Sequence, residues 1–149
     1  MNKFQTYGWN LLHELGHNMQ RNLWTPSGTE EIMPNLFALH ALECVFKDSR
    51  CLERILNETR MIKVMKNYTF TSEEWCQNSS IGILIYLQLV NAFGWNSFKT
   101  IFREYELLNS SSSENWLKSD LAKWNHWISK YSQIVGLNVA PLFSFWSIS

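Results

Sequence analysis

The stretch from Tyr7 to Gln20, YGWNLLHELGHNMQ, places His13, Glu14 and His17 in the spacing His-Glu-x-x-His. On an α-helix, residues four apart stand one above the other on a single face, so both imidazoles can reach one divalent cation while Glu14 flanks it. The surrounding sequence is consistent with that requirement. Apolar residues recur at Phe4, Tyr7, Trp9, Leu12 and Leu15, and no proline intervenes before Pro26, which predicts a first helix over 4–21. Gly16 is the one residue that resists it, because glycine inside a helix costs about 1 kcal/mol relative to alanine. Its position beside His17 suggests that another backbone, or the metal's surroundings, comes too close for a Cβ.

A catalytic zinc takes three protein ligands and keeps one position for water. Two are His13 and His17, and no third histidine follows within six residues, so the remaining ligand is expected from a glutamate on the next helix. Trp24–Gly28, WTPSG, is turn chemistry that folds the chain back, and Glu30 and Glu31 follow it. A metal-bound imidazole usually donates its free N–H to a nearby acceptor, and a residue four beyond the ligand is well placed to accept. Four beyond Glu31 is Asn35, whereas four beyond Glu30 is Pro34, which has no acceptor side chain. Spacing therefore favours Glu31 over Glu30 as third ligand, with Asn35 orienting a histidine. Glu14 would be the general base, taking a proton from the attacking water, which the metal acidifies toward a pKa of about 7, and returning it to the leaving amine.

The rest of the chain also reads as helical. A second helix is expected from Glu30 or Glu31 to Lys47, with Pro34 in its first turn and Ile32, Leu36, Leu39, Leu42 and Phe46 on one side. A third covers 51–66, and a Thr71-x-x-Glu74 capping box starts a fourth running from about Ser72 to Phe93, apolar nearly all round from Ile81 to Val90 and stopped by Gly94. A fifth spans 97–108. A sixth, ending at Gly136, carries a seam of Leu117, Leu121, Trp124, Ile128, Tyr131 and Val135, and Pro141–Trp146 forms a terminal turn that tucks aromatics under the bundle. No stretch alternates with period two. The expected fold is a mainly α single domain over 1–149, with active-site helices about 4–21 and 31–47 and a bundle about 51–149.

Charge and composition limit the partners. With 13 basic and 13 acidic side chains the chain has no net field to attract nucleic acid or an anionic membrane surface. The longest apolar run, Ile81–Leu87, falls well short of the roughly 20 residues that span a bilayer, so no membrane insertion is expected. The N-terminus does not read as a signal peptide. Three cysteines, Cys44, Cys51 and Cys76, are an odd number with no Cys-x-x-Cys, which argues against a disulfide framework or a thiolate zinc knuckle, and are read as reduced thiols. Four Asn-x-Ser/Thr triplets, at Asn57, Asn67, Asn78 and Asn109, would be glycosylation acceptors in a secreted chain, and compartment is left open. The eight tryptophans suit core packing better than sugar stacking; Trp24, in the turn beside the expected metal, is the one candidate for substrate contact.

The combination W-x-x-x-HELGHN-x-Q, Trp24, and G-T-x-E-x-x-x-N-L-F at Gly28–Phe37 resembles the enhancin-like, mucin-cleaving metallopeptidases of family sixty, which are gluzincins. The likeness extends through YLQLVNAFGWNSF and FREY. It implies zinc on His13, His17 and Glu31, catalysis by Glu14, and a peptide or glycoprotein substrate. It also implies a domain that begins before the His-Glu-x-x-His helix with a sheet-bearing half forming the other wall of the cleft. The chain starts twelve residues ahead of His13, so it is expected to be the helical, C-terminal half of such a domain. Gluzincins use a Tyr or His across the cleft to steady the tetrahedral intermediate, which makes Tyr86, Tyr105 and His126 nominal candidates. The ending KWNHWISKYSQIVGLNVAPLFSFW resembles more closely the animal branch, channel-associated factors that bind a cold-sensing cation channel. That branch implies a regulator at the cytosolic face of the plasma membrane, where a mucin-cleaving relative would be extracellular. Ser147 stands where that likeness would put glycine.

Overall fold

Helix α1 occupies Lys3–Met19 and α2 Ile32–His40, the latter running into a π-helical turn at Ala41–Val45. A 3₁₀ turn at Asn22–Trp24 joins them. Next come α3 (Ser79–Phe93), α4 (Trp95–Asn109), α5 (Asp120–Val135) and α6 (Ala140–Phe145). This computed structural model describes residues 3–48, 78–109 and 117–148, and the described residues contain helices and no strand, as the periodicity predicts. The helix expected at 51–66 and the Thr71/Glu74 capping box lie outside them.

The core is built on α3. Ile81, Ile83, Leu84, Ile85, Tyr86, Leu87, Leu89 and Val90 are all buried, the outcome required of a helix with no polar face. Its start differs from expectation. Asn78, in extended conformation, caps the helix by accepting a hydrogen bond from the Ser80 N–H, so the fourth helix begins at Ser79 rather than near Ser72. Its end is as read: Gly94 takes a positive φ of 74° and donates its N–H to the Val90 carbonyl. The chain then turns by 113° into α4, which begins two residues earlier than expected. No single described helix is long and apolar enough to cross a membrane.

Helices α4, α5 and α6 contribute an aromatic layer, which meets α3 at Tyr86 through Phe98 and Trp127. Trp127 stacks on Tyr131 at 4.7 Å, and Phe98, Phe143 and Trp146 are buried with them. Tyr131 hydrogen-bonds Ser97 at 2.7 Å, and burial pushes its phenol up to about 12. The seam expected on this helix is only partly right. Leu117 and Tyr131 are buried, but Leu121 is 56% exposed, and Lys123 and Trp127 occupy the inward positions instead. Phe46, expected inside, is 63% exposed, because the π-helical turn after His40 shifts the apolar stripe off the α-helical register.

Pro141 lies in the first turn of α6, and Phe143 and Trp146 are tucked in as expected. Ser147 adopts a φ of 59°. A residue with a Cβ pays about 1 to 2 kcal/mol there and glycine pays none, although glycine also costs about 0.5 to 1 kcal/mol in chain entropy. Ser147→Gly is therefore expected to raise the unfolding free energy by up to about 1 kcal/mol, measured by chemical denaturation.

Candidate metal centre

Helices α1 and α2 cross unusually closely, and the cause is Gly16. A Cβ built there would lie 2.7 Å from the Pro34 Cα and 2.8 Å from its carbonyl oxygen. Pro34 itself sits in the first turn of α2, where its missing N–H breaks no helical bond. The backbone approach expected from the sequence is therefore present, and the neighbour is the helix that follows Glu31.

That crossing brings three side chains to one point. His13 Nε2 is 3.1 Å from Glu31 Oε2 and 3.2 Å from His17 Nε2, and His17 Nε2 is 3.7 Å from the same carboxylate oxygen. The two rings stand nearly perpendicular, with centroids 4.8 Å apart. Both are partly buried while Glu31 is exposed, so the cluster lies at the surface end of the helix pair. Glu30, the alternative, contributes its backbone carbonyl rather than its side chain.

The amide neighbours determine what the imidazoles present. Asn35 Nδ2 donates to the Glu31 carbonyl at 2.9 Å, which turns its Oδ1 toward His13 Nδ1 at 2.8 Å. Gln20 Nε2 donates to the Glu30 carbonyl at 2.7 Å, which turns its Oε1 toward His17 Nδ1 at 3.0 Å. Backbone carbonyls only accept, so both amide orientations are fixed, and each imidazole must carry its hydrogen on Nδ1. In the neutral rings the Nε2 atoms then carry lone pairs, and these converge with a carboxylate oxygen. A proton can bridge two such atoms, whereas a divalent cation can use all three. Tetrahedral zinc, with bonds of about 2.0 to 2.2 Å, separates its ligand atoms by about 3.3 Å, so the donor set and its spacing fit zinc. The contact between Asn35 and His13 was anticipated. That of Gln20 was not, though a carboxamide three residues past His17 was a visible signal.

Glu14 is exposed and follows His13 directly. The other candidates are placed differently. Trp24 is 2% exposed and packs on Phe102 and Tyr105, which corrects the reading of it as a substrate contact: neither face is open to a sugar. Tyr86 and Tyr105 are buried, and Tyr105 is already engaged with His126 Nδ1 at 3.0 Å, its phenol raised by burial and by Glu104. Burial, with Lys130, lowers the His126 pKa against a smaller opposing effect of Glu104. His40 lies apart from the cluster against Trp95, and burial followed by Lys99 lowers its pKa despite Glu43. Cys44 is a free thiol.

Residues 1–147 match the family described as peptidase M60, enhancin and enhancin-like. Similar proteins include a TRPM8 channel-associated factor homolog of Xenopus laevis, 33% identical over 153 residues, covering 98% of this chain and 16% of that protein. The TRPM8 channel-associated factor 3 of Mus musculus is 33% identical over 151 residues, covering 97% of this chain and 16% of that protein. The TRPM8 channel-associated factor 2 of Homo sapiens is 32% identical over 141 residues, covering 93% and 15%. The chain thus spans about a sixth of the length of these relatives. No solved structure matches.

Proposed function

Because the chain belongs to the peptidase M60, enhancin and enhancin-like family, we propose that it carries the metal centre of a zinc-dependent endopeptidase of gluzincin type. The observation that carries the reading is the convergence of His13 Nε2, His17 Nε2 and Glu31 Oε2 within 3.1 to 3.7 Å. His13, His17 and Glu31 would hold the zinc, and Asn35 and Gln20 keep the imidazole lone pairs aimed at it. A bound zinc supplies Lewis acidity toward the scissile carbonyl and toward water. Glu14 takes the proton of the attacking water and delivers it to the departing amine. The family resemblance supports a peptide or glycoprotein substrate.

A second reading has its own support. The relatives are named as channel-associated factors, and a protein of that kind can keep a zinc site as scaffold while acting as a regulator bound to a TRP-type channel. The two readings share the metal and differ in the chemistry.

The metal is tested first. Zinc measured on the purified chain is expected at one equivalent and is expected to fall to near zero in His13→Ala, since two remaining ligands hold the ion poorly. A chain without zinc, or a His13→Ala variant that keeps it, would overturn both readings of the site.

A further inference from the structure

Lys123 lies on α5, 106 positions along the chain from His17, yet it is only 6% exposed and faces the segment that links the two ligand-bearing helices. Its Nζ donates to Asn22 Oδ1 at 2.8 Å and to the Thr25 carbonyl at 3.0 Å. Asp120, one turn earlier, approaches Lys123 Nζ at 3.9 Å and accepts the Ser27 N–H at 2.9 Å. From α4, Glu106 reaches Arg21 at 3.2 Å. The linker between His17 and Glu31 is therefore gripped at Arg21, Asn22, Thr25 and Ser27 by side chains of the distant bundle. Beyond Ser27 short local bonds carry the chain to Glu31: Thr29 N–H and Oγ1 both bond the Pro26 carbonyl, and Ile32 N–H bonds the Thr29 carbonyl.

A lysine is rarely buried without partners that compensate its desolvation. An apolar residue of similar length would fill the space but leave Asn22 Oδ1 and the Thr25 carbonyl without this donor, so the amine is there to tie the linker to α5. We propose that Lys123, together with Asp120, is a positioning pair for the metal centre, which fixes the linker and so sets the distance of Glu31 from His13 and His17. The proposal rests on the reading of those three residues as zinc ligands. It assigns to the bundle a role in metal geometry beyond that of supporting the fold.

Lys123→Met keeps the aliphatic stem and removes the donors, and Asp120→Ala removes the partly exposed acceptor. Both are compared with the parent chain by Co(II) titration against a competing chelator, with the visible ligand-field spectrum recorded at saturation and helicity followed by circular dichroism. Lys123→Met is expected to bind Co(II) about tenfold more weakly and to show displaced bands at saturation, with helicity retained. Asp120→Ala is expected to change both in the same direction by less. A variant that is merely less stable would show the parent spectrum once saturated, and that outcome, or unchanged affinity, overturns the positioning role. Should Lys123→Met fail to fold, Asp120→Ala decides on the same criteria. A parent chain that takes up no Co(II) overturns the zinc reading itself, and is recognised because parent and variants then behave alike.

Discussion

Gly16→Ala is expected to destabilise the protein and to cost it most of its affinity for zinc. In an unobstructed helix the change would help by about 1 kcal/mol. Here the new methyl would sit 2.7 Å from the Pro34 Cα and 2.8 Å from its carbonyl oxygen, and neither atom belongs to a flexible side chain. Reaching an ordinary separation of about 3.5 Å moves α2 from α1 by on the order of 1 Å. Overpacking of that kind costs about 1 to 3 kcal/mol, which outweighs the propensity gain. The proposed metal site is less forgiving still, since bond lengths tolerate only about 0.2 Å and the histidines lie on α1 while Glu31 caps the start of α2, the two elements being pushed apart. Gly8, on the same helix, supplies the control, because a methyl added there would meet nothing within 4 Å. Gly8→Ala is expected to be neutral or stabilising by up to about 1 kcal/mol, with zinc binding intact. Denaturant titration and zinc competition on the two variants make the comparison. Gly16→Ala matching Gly8→Ala in both would show that the close crossing is not what holds the ligands together.

Glu14→Gln is expected to leave zinc in place while lowering peptide hydrolysis by about 100- to 10,000-fold, the range for loss of a general acid–base group. Glutamine preserves the shape and hydrogen-bonding reach of Glu14 but cannot take the proton from water. Glu14 is exposed and lies outside the three-residue ligand cluster, so metal content is expected to be that of the parent. Cleavage of a mucin-like glycopeptide, compared between the two at equal zinc occupancy, reads the difference. Equal rates would remove Glu14 from the chemistry. A parent chain that binds zinc and leaves the peptide intact, with a full-length relative assayed beside it giving the same result, would favour the channel-associated reading over the peptidase one.

Much of the site was legible in the residues because its signals are local. A spacing of four puts His13 and His17 on one helical face whatever they pack against. The acceptor four beyond Glu31 pointed to Asn35, and the misplaced glycine pointed to a close neighbour. The run from Ile81 to Val90 announced a buried helix because a segment with no polar face has nowhere else to go. The resemblance put glycine at 147 without saying why, and only the structure supplies the reason: the backbone there is left-handed, which the serine adopts at a cost glycine would not pay.

What the sequence left undecided depended on residues far apart in the chain. Trp24 looked available to a substrate until α4 covered it, and Leu121 looked inward until Lys123 and Trp127 took the inner positions of α5. Gln20 gained its role only because the Glu30 carbonyl, ten residues on, is packed where it fixes the amide. The grip of Lys123 on Asn22 and Thr25 spans about a hundred residues. Helical periodicity is fixed by bond geometry within a few residues of chain. Which faces meet, and which polar atoms find each other, is set by how the helices pack, and that is a property of the assembled fold.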